Sequence, residues 1–94
     1  MKQRRNKIEI IHDMLSAIQA KGGSIKPTHL LYKSNLSHNR MREYLDELVE
    51  KKFIEEVEKT EKKKTKQMIM LTPEGYSFLQ QLGKLKEFTE AFGL

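Results

Sequence analysis

The sequence of 94 residues contains no cysteine and no tryptophan, and it has only two prolines. Without cysteine, a disulfide framework and thiolate metal sites are excluded, and the absence agrees with a reducing, cytoplasmic compartment. No apolar run approaches the ~20 residues that a membrane-spanning helix needs. The amino-terminal stretch MKQRRNK also lacks the apolar segment of a secretory signal. We therefore expect one small cytoplasmic domain that does not contact a membrane.

Residue patterns that indicate catalysis are missing as well. The histidines His12, His29 and His38 do not have the spacing of metal ligands. Gly22 and Gly23 are typical of a helix end, so they do not indicate a phosphate-binding loop. No nucleophile–base arrangement is recognisable. We expect neither an enzyme nor a bound cofactor or metal.

Positive charge is what the chain has in excess. The formal net charge is +5, and residues 1–7 hold four basic residues and no acidic residue. Residues 58–66 hold five lysines and two glutamates, whereas residues 8–57 and 67–94 each carry a net charge of −1. Two basic segments on a nearly neutral body indicate a polyanionic partner. The alternative is that both segments are solvated, flexible ends that only favour solubility.

Apolar periodicity predicts three helices in the first half of the chain. Steps of three and four residues predict an amphipathic helix over residues 8–20. A proline predicts the start of a short second helix at residues 27–34, to which Tyr32 adds an apolar side chain. Ser37 is a good N-cap for a third helix over residues 38–51.

The second half of the chain predicts a hairpin followed by a long helix. Residues 53–57 and 67–71 are expected to pair as strands, with residues 58–66 as a long, mobile loop. The Thr-Pro-Glu sequence at 72–74 starts a last helix of ~30 Å. This order is mostly α with a small β-hairpin, typical of a winged helix-turn-helix with a long C-terminal helix. The expected divisions are a basic arm (1–7), a winged helix-turn-helix domain (8–72) and a dimerisation helix (73–94).

Two stretches, SNLSHNRMREYLDELVEKKFIE and MLTPEGYSFLQQL, resemble the small archaeal winged-helix DNA-binding proteins, including the roughly ten-kilodalton dimeric chromatin-associated class. The resemblance extends over about residues 8–92. It implies binding to double-stranded DNA and dimerisation through the terminal helix as an antiparallel coiled coil. Lys52 stands where that class usually has glycine, which predicts a less sharply turned helix end. Ile69 stands where an aromatic residue is common, which is a substitution in the core.

Three groups of residues are candidates for DNA contact. In the third helix Arg40 can pair with guanine and Asn39 with adenine, while Ser37 is expected mainly to cap the helix and His38 to be half-buried. Lysines are suited to phosphate and carry little base information. The candidate DNA-binding residues are Ser37, Asn39, Arg40, Arg42, Glu43, Lys59, Lys62, Lys63, Lys64, Lys66, Lys2, Arg4 and Arg5.

The last helix has an apolar stripe at the three- and four-residue steps of a coiled-coil seam. We expect a homodimer, although the stripe can also fold back on its own domain. The candidate dimerisation residues are Phe78, Leu82, Leu85, Phe88 and Phe92.

The predicted function is weakly sequence-specific binding of double-stranded DNA by a winged-helix homodimer associated with the nucleoid. The pattern leaves open whether the protein is chromatin-architectural or a transcriptional regulator. The alternative is a winged-helix module that binds protein, supported by the acidic face of Glu43, Glu47 and Glu50. RNA binding is less favoured because stacking aromatics for single strands are missing.

Overall fold

A computed structural model describes residues 5–93. The predicted helices are confirmed, with ends within a residue or so of those expected, whereas the arm residues Lys2 and Arg4 lie outside the described range. In chain order the elements are α1 (Lys7–Ala20), β1 (Ser24–Ile25), α2 (Pro27–Ser34), α3 (His38–Glu50), β2 (Ile54–Glu61), β3 (Lys64–Leu71) and α4 (Pro73–Ala91).

The sheet has three antiparallel strands in the order β1-β3-β2. Ser24 and Ile25 pair with Met70 and Ile69 of β3, so the segment predicted only as an extended link is a short edge strand. Two residues are too few to show the alternation that identifies a strand. Their pairing therefore depends on where tertiary packing places β3.

The core is a single cluster between the helices and one face of the sheet. The helix α1 buries the largest share, with five apolar residues, although Ile8 at the start of its predicted stripe is exposed. Ile69 is buried, as expected for a core position. The carboxyl half of the chain closes the cluster with two leucines of α4. The buried apolar residues are Ile10, Ile11, Met14, Leu15, Ile18, Ile25, Leu30, Met41, Leu45, Leu48, Ile54, Ile69, Leu71, Leu79 and Leu82.

The end of α3 is more sharply turned than the sequence predicts. Lys52 has φ 64°, and its amide donates to the carbonyl of Val49 at 3.0 Å while the Phe53 amide donates to that of Leu48 at 3.0 Å. These two bonds form the Schellman motif that ends many helices. The prediction of a looser end was wrong because packing of the following strand holds a lysine in the left-handed conformation, at a cost of about 1 kcal/mol relative to glycine.

The start of α4 is joined to the start of β2 by the side chain of Thr72. Its hydroxyl accepts from the Gly75 amide at 2.9 Å, as expected for an N-cap, and donates to the Lys52 carbonyl at 2.6 Å. The Thr72 amide also donates to the Phe53 carbonyl at 3.2 Å. These bonds fix the hairpin relative to α4. Within residues 5–93, no helix is long and apolar enough to span a membrane.

Candidate nucleic-acid interface

The helix-turn-helix is formed by α2 and α3 with a short turn between them. Asn35 takes the left-handed conformation (φ 53°, ψ 46°) that asparagine tolerates better than most residues. The hydroxyl of Ser37 accepts a hydrogen bond from the Arg40 amide at 3.2 Å. Ser37 is therefore engaged as the N-cap of α3, which is the role that the sequence favoured over base contact.

The first turn of α3 is a polar, exposed surface. His38, Asn39 and Arg40 are all exposed, so the expectation of a half-buried His38 was wrong: it precedes Met41, the first α3 side chain that enters the core. The Arg40 guanidinium carbon lies 5.9 Å from the centroid of the Tyr44 ring. This contact positions the cation and leaves it accessible to a partner.

Arg42 is held by acidic side chains of its own domain. It forms ion pairs with Asp46 one turn along α3 and with Glu56 on β2. The hydrogen bond with Glu56 is the main cause that raises the pKa of Arg42, and the one with Asp46 adds to it. A phosphate would have to compete with both carboxylates, so this geometry weakens the expectation that Arg42 contacts DNA.

The acidic face of α3 is partly neutralised. The Lys7 ammonium lies 2.6 Å from a carboxylate oxygen of Glu47, so one of its three glutamates has a cationic partner. Glu43 and Glu50 are exposed and form no ion pair within residues 5–93. The face that supported a protein-binding alternative is therefore less acidic than the sequence indicates.

Arg5 is used inside the domain. Its guanidinium donates to the Asp13 carboxylate at 2.8 Å and to the Ser34 carbonyl at 2.7 Å. It thereby ties α1 to the end of α2 beside the turn. This placement weakens the expectation that Arg5 contacts DNA, because the donors needed for phosphate already have partners. The sequence pattern gave no indication of this long-range contact.

The lysine-rich stretch is a regular hairpin, so the prediction of a long, mobile loop was wrong. The strands β2 and β3 pair in register from Ile54 and Leu71 out to Glu61 and Lys64. Only Lys62 and Lys63 form the turn, and both have positive φ values (48° and 68°), as a type I′ hairpin turn requires. We call the part of the hairpin beyond the core, residues 58–67, the wing.

The wing displays its charge without internal compensation. All five lysines of this segment are exposed, and none forms an ion pair within the part of the chain that the structure describes. Because four residues of extended strand span about 13 Å, the hairpin carries these cations well beyond the body of the domain. They are Lys59, Lys62, Lys63, Lys64 and Lys66.

Two further residues beside the turn are candidates that sequence reasoning missed. Tyr32 was counted among the apolar positions of the second helix, but it is 80% exposed, and the neighbouring Lys33 is exposed as well. Tyr32 lies two positions after the buried Leu30, which is about 200° around the helix. That angle could have identified it as a surface residue from the sequence.

The predicted dimerisation stripe divides into two parts. Phe78 stacks on Phe53 with ring centroids 4.3 Å apart, and Leu82 is buried, so both belong to the core of the single chain. Leu85, Phe88 and Phe92 are 51%, 59% and 68% exposed. The part of the stripe that packs on its own domain thus ends near Leu82. Only the distal part, Leu85, Phe88 and Phe92, is exposed and available to a partner.

Comparison with known proteins agrees with this architecture. A family profile described as winged helix-turn-helix matches residues 4–90. The chain belongs to the winged helix-turn-helix family. This assignment confirms the fold class predicted from the sequence. A search of curated proteins found no significant match.

Two solved structures have the same winged-helix fold. One is Sso10a-2, a DNA-binding protein from Sulfolobus solfataricus, with a TM-score of 0.77, 20% identity, and coverage of 94% of this chain and 85% of that one. The other is BpsR from Bordetella bronchiseptica, whose DNA binding is regulated by 6-hydroxynicotinic acid, with a TM-score of 0.72, 16% identity, and coverage of 89% and 64%. The first match confirms the resemblance to small archaeal winged-helix proteins.

Proposed function

We propose that the protein binds double-stranded DNA with little sequence preference. The observation that carries this proposal is the wing, where five lysines extend from the domain without acidic partners among the described residues. Exposed, unpaired cations can displace the counterions condensed on a duplex. The DNA-binding proteins that share the fold support the same function.

The first turn of α3 supplies the base contacts in this proposal. Asn39 and Arg40 are the exposed side chains there that match the edges of adenine and guanine in the major groove. Glu43 follows on the exposed side, where it can accept from cytosine, while Arg42 is paired with two carboxylates. Because few side chains read bases, sequence preference is weak. Tyr32 and Lys33, which are exposed near the end of α2, add phosphate contacts.

Weak preference is typical of a protein that coats DNA, so we assign a chromatin-architectural role on the nucleoid. A gene-specific regulator would instead need more base-reading side chains than this helix offers. The arm is the second basic segment of the chain. Arg5 is fixed at the end of α2, and Lys2 and Arg4 precede it in the sequence. We propose that these two residues contact the backbone or enter a minor groove.

Salt dependence tests the proposal directly. With ~4–6 phosphate contacts per protomer, log K for random duplex DNA should fall with log salt with a slope of about −4 to −5, doubling for a dimer with both protomers on one duplex. The measurement is fluorescence anisotropy of a labelled 30-base-pair duplex of random sequence between 50 and 300 mM NaCl. A slope near zero, or a single tightly preferred site, would contradict the proposal. No DNA binding at 50 mM salt would favour the protein-binding alternative.

We also propose that two copies pair through the distal half of α4. Leu85, Phe88 and Phe92 are separated by three and four residues, and all three are exposed. A helix seam of this spacing buries its apolar side chains by pairing with another helix. The rings of Phe88 and Phe92 already lie together, with centroids 4.8 Å apart, so they form one continuous apolar surface. A second copy of the chain offers the same surface.

Phe88→Glu is expected to convert the dimer to a monomer, because it places a carboxylate at the centre of the apolar surface. Sedimentation equilibrium at ~50 μM checks this, with at least a tenfold weaker self-association expected. Gln80→Glu is the matched control: it adds the same charge at an exposed position of α4 about 80° from Phe88 around the helix, and it should remain dimeric. A monomeric wild-type chain would refute the dimer without affecting the DNA-binding proposal.

A further inference from the structure

The strand register gives the wing two different faces. Side chains alternate between the faces of a strand, and Ile54, Ile69 and Leu71 enter the core. Residues in step with them form the core face of the wing, and the residues between form its outer face. The pairing of Lys59 with Lys66 and of Thr60 with Thr65 continues this alternation to the turn.

The charges separate between these faces. Three lysines lie on the outer face together with the single acid Glu61: Lys59, Lys64 and Lys66. Over the same residues, the core face has no lysine in the paired strands and carries one glutamate and three neutral side chains: Glu58, Thr60, Thr65 and Gln67. The outer face of the wing therefore attracts phosphate, whereas its core face has no lysine in the paired strands to bind it.

This arrangement lowers the stability of the free hairpin. Lys59 and Lys66 are directly opposite each other, and like charges at such a pair are destabilising. Lys62 and Lys63 occupy the left-handed turn positions where asparagine and glycine are preferred. The repulsion between Lys59 and Lys66 falls when an anion neutralises them, so their placement is explained by binding rather than by folding.

We infer that the wing binds the DNA backbone through its outer face, with Lys59, Lys64 and Lys66 as the phosphate-binding set. This inference rests on the proposed DNA binding and specifies which side of the wing performs it. The helix α3 lies on the opposite side, because Arg42 reaches Glu56 on the core-face side of β2. The phosphates bound by the wing are thus separated from those beside α3 by the thickness of the hairpin.

The symmetric sequence around the turn allows a charge-relocation experiment. Exchanging Lys59 with Thr60 and Thr65 with Lys66 (K59T/T60K/T65K/K66T) moves two lysines to the core face without changing composition or net charge. After the exchange, two threonines are opposite each other at positions 59 and 66, and two lysines at positions 60 and 65. One like-charged cross-strand pair is therefore retained. The comparison variant K59T/K66T removes the same two lysines from the outer face and lowers the net charge by two.

The relocated variant is expected to bind no better than K59T/K66T, with affinity reduced on the order of 10- to 60-fold at 0.1 M salt, which corresponds to the loss of two phosphate contacts. Wild-type affinity in the relocated variant would overturn the inference while leaving DNA binding intact. Failure of the wild type to bind would instead remove the proposed function itself. Circular dichroism and thermal unfolding of each variant establish that it is folded. If the relocated variant is not folded, the DNA affinities of two single variants are compared instead: K64T removes a lysine from the outer face and should weaken binding, whereas T65K adds one to the core face and should not strengthen it.

Discussion

Replacing all five wing lysines with glutamine is expected to weaken binding to random duplex DNA by about 100-fold or more at 0.1 M salt. Each lysine lost from a phosphate contact removes about 0.9 from the salt slope, so the slope should also become much flatter. The expectation rests on the exposure of these lysines and on their lack of ion pairs among the described residues. Anisotropy titrations over a salt series measure both quantities.

The control tests whether net charge alone accounts for the effect. Lys21, Lys51, Lys84 and Lys86 are exposed and lie outside the wing and the first turn of α3, so their replacement with glutamine should change affinity only a few-fold. The wing variant should unfold at the same temperature as the wild type or higher, because the repulsion between Lys59 and Lys66 is removed. Equal losses in both variants would show that the wing is not a specific contact surface.

Gly75→Ala is expected to destabilise the domain by about 3 kcal/mol or more. Gly75 is buried at the start of α4, and an added Cβ would lie 3.0 Å from the carbonyl carbon of Phe53 and 3.1 Å from Leu71, and closer still to the Phe53 oxygen. The chain would have to separate α4 from the start of β2, which breaks the hydrogen bonds of Thr72. Thermal unfolding should show a loss of about 12 °C or more.

Gly83→Ala in the same helix is the matched comparison, and its expected effect has the opposite sign. A Cβ at Gly83 would have no atom within 4 Å, and alanine is favoured over glycine in a helix by about 0.8–1 kcal/mol. Unfolding is followed at low protein concentration, where the proposed dimer does not contribute. A similar loss of stability in both variants would show that the close approach of Gly75 to Phe53 is not the cause.

The candidate site was only partly predictable, because a charge pattern does not reveal which charges find partners. Arg5 and Arg42 have the same appearance in the sequence as Arg40, yet two of them bind carboxylates or carbonyls distant in the chain. The wing lysines were recognised because no local acid outweighs them. The placement of Lys59, Lys64 and Lys66 on one face depends on a two-residue turn formed by Lys62 and Lys63 at positive φ. Lysine is not a residue that predicts such a turn, so the sequence did not indicate it.

The amino-acid sequence by itself determined the four helices, their order, the hairpin between the third and the fourth, and the location of the excess positive charge. These features follow from local periodicity, capping residues and composition, which act over a few residues. Only the tertiary structure decided that Ser24 and Ile25 form a strand, that Phe78 and Leu82 serve the core rather than a partner, and that Lys59, Lys64 and Lys66 share a face. Each of these depends on strand register or packing between segments far apart in the chain. The free energy that stabilises them comes from contacts between distant residues, which a short stretch of sequence does not reveal.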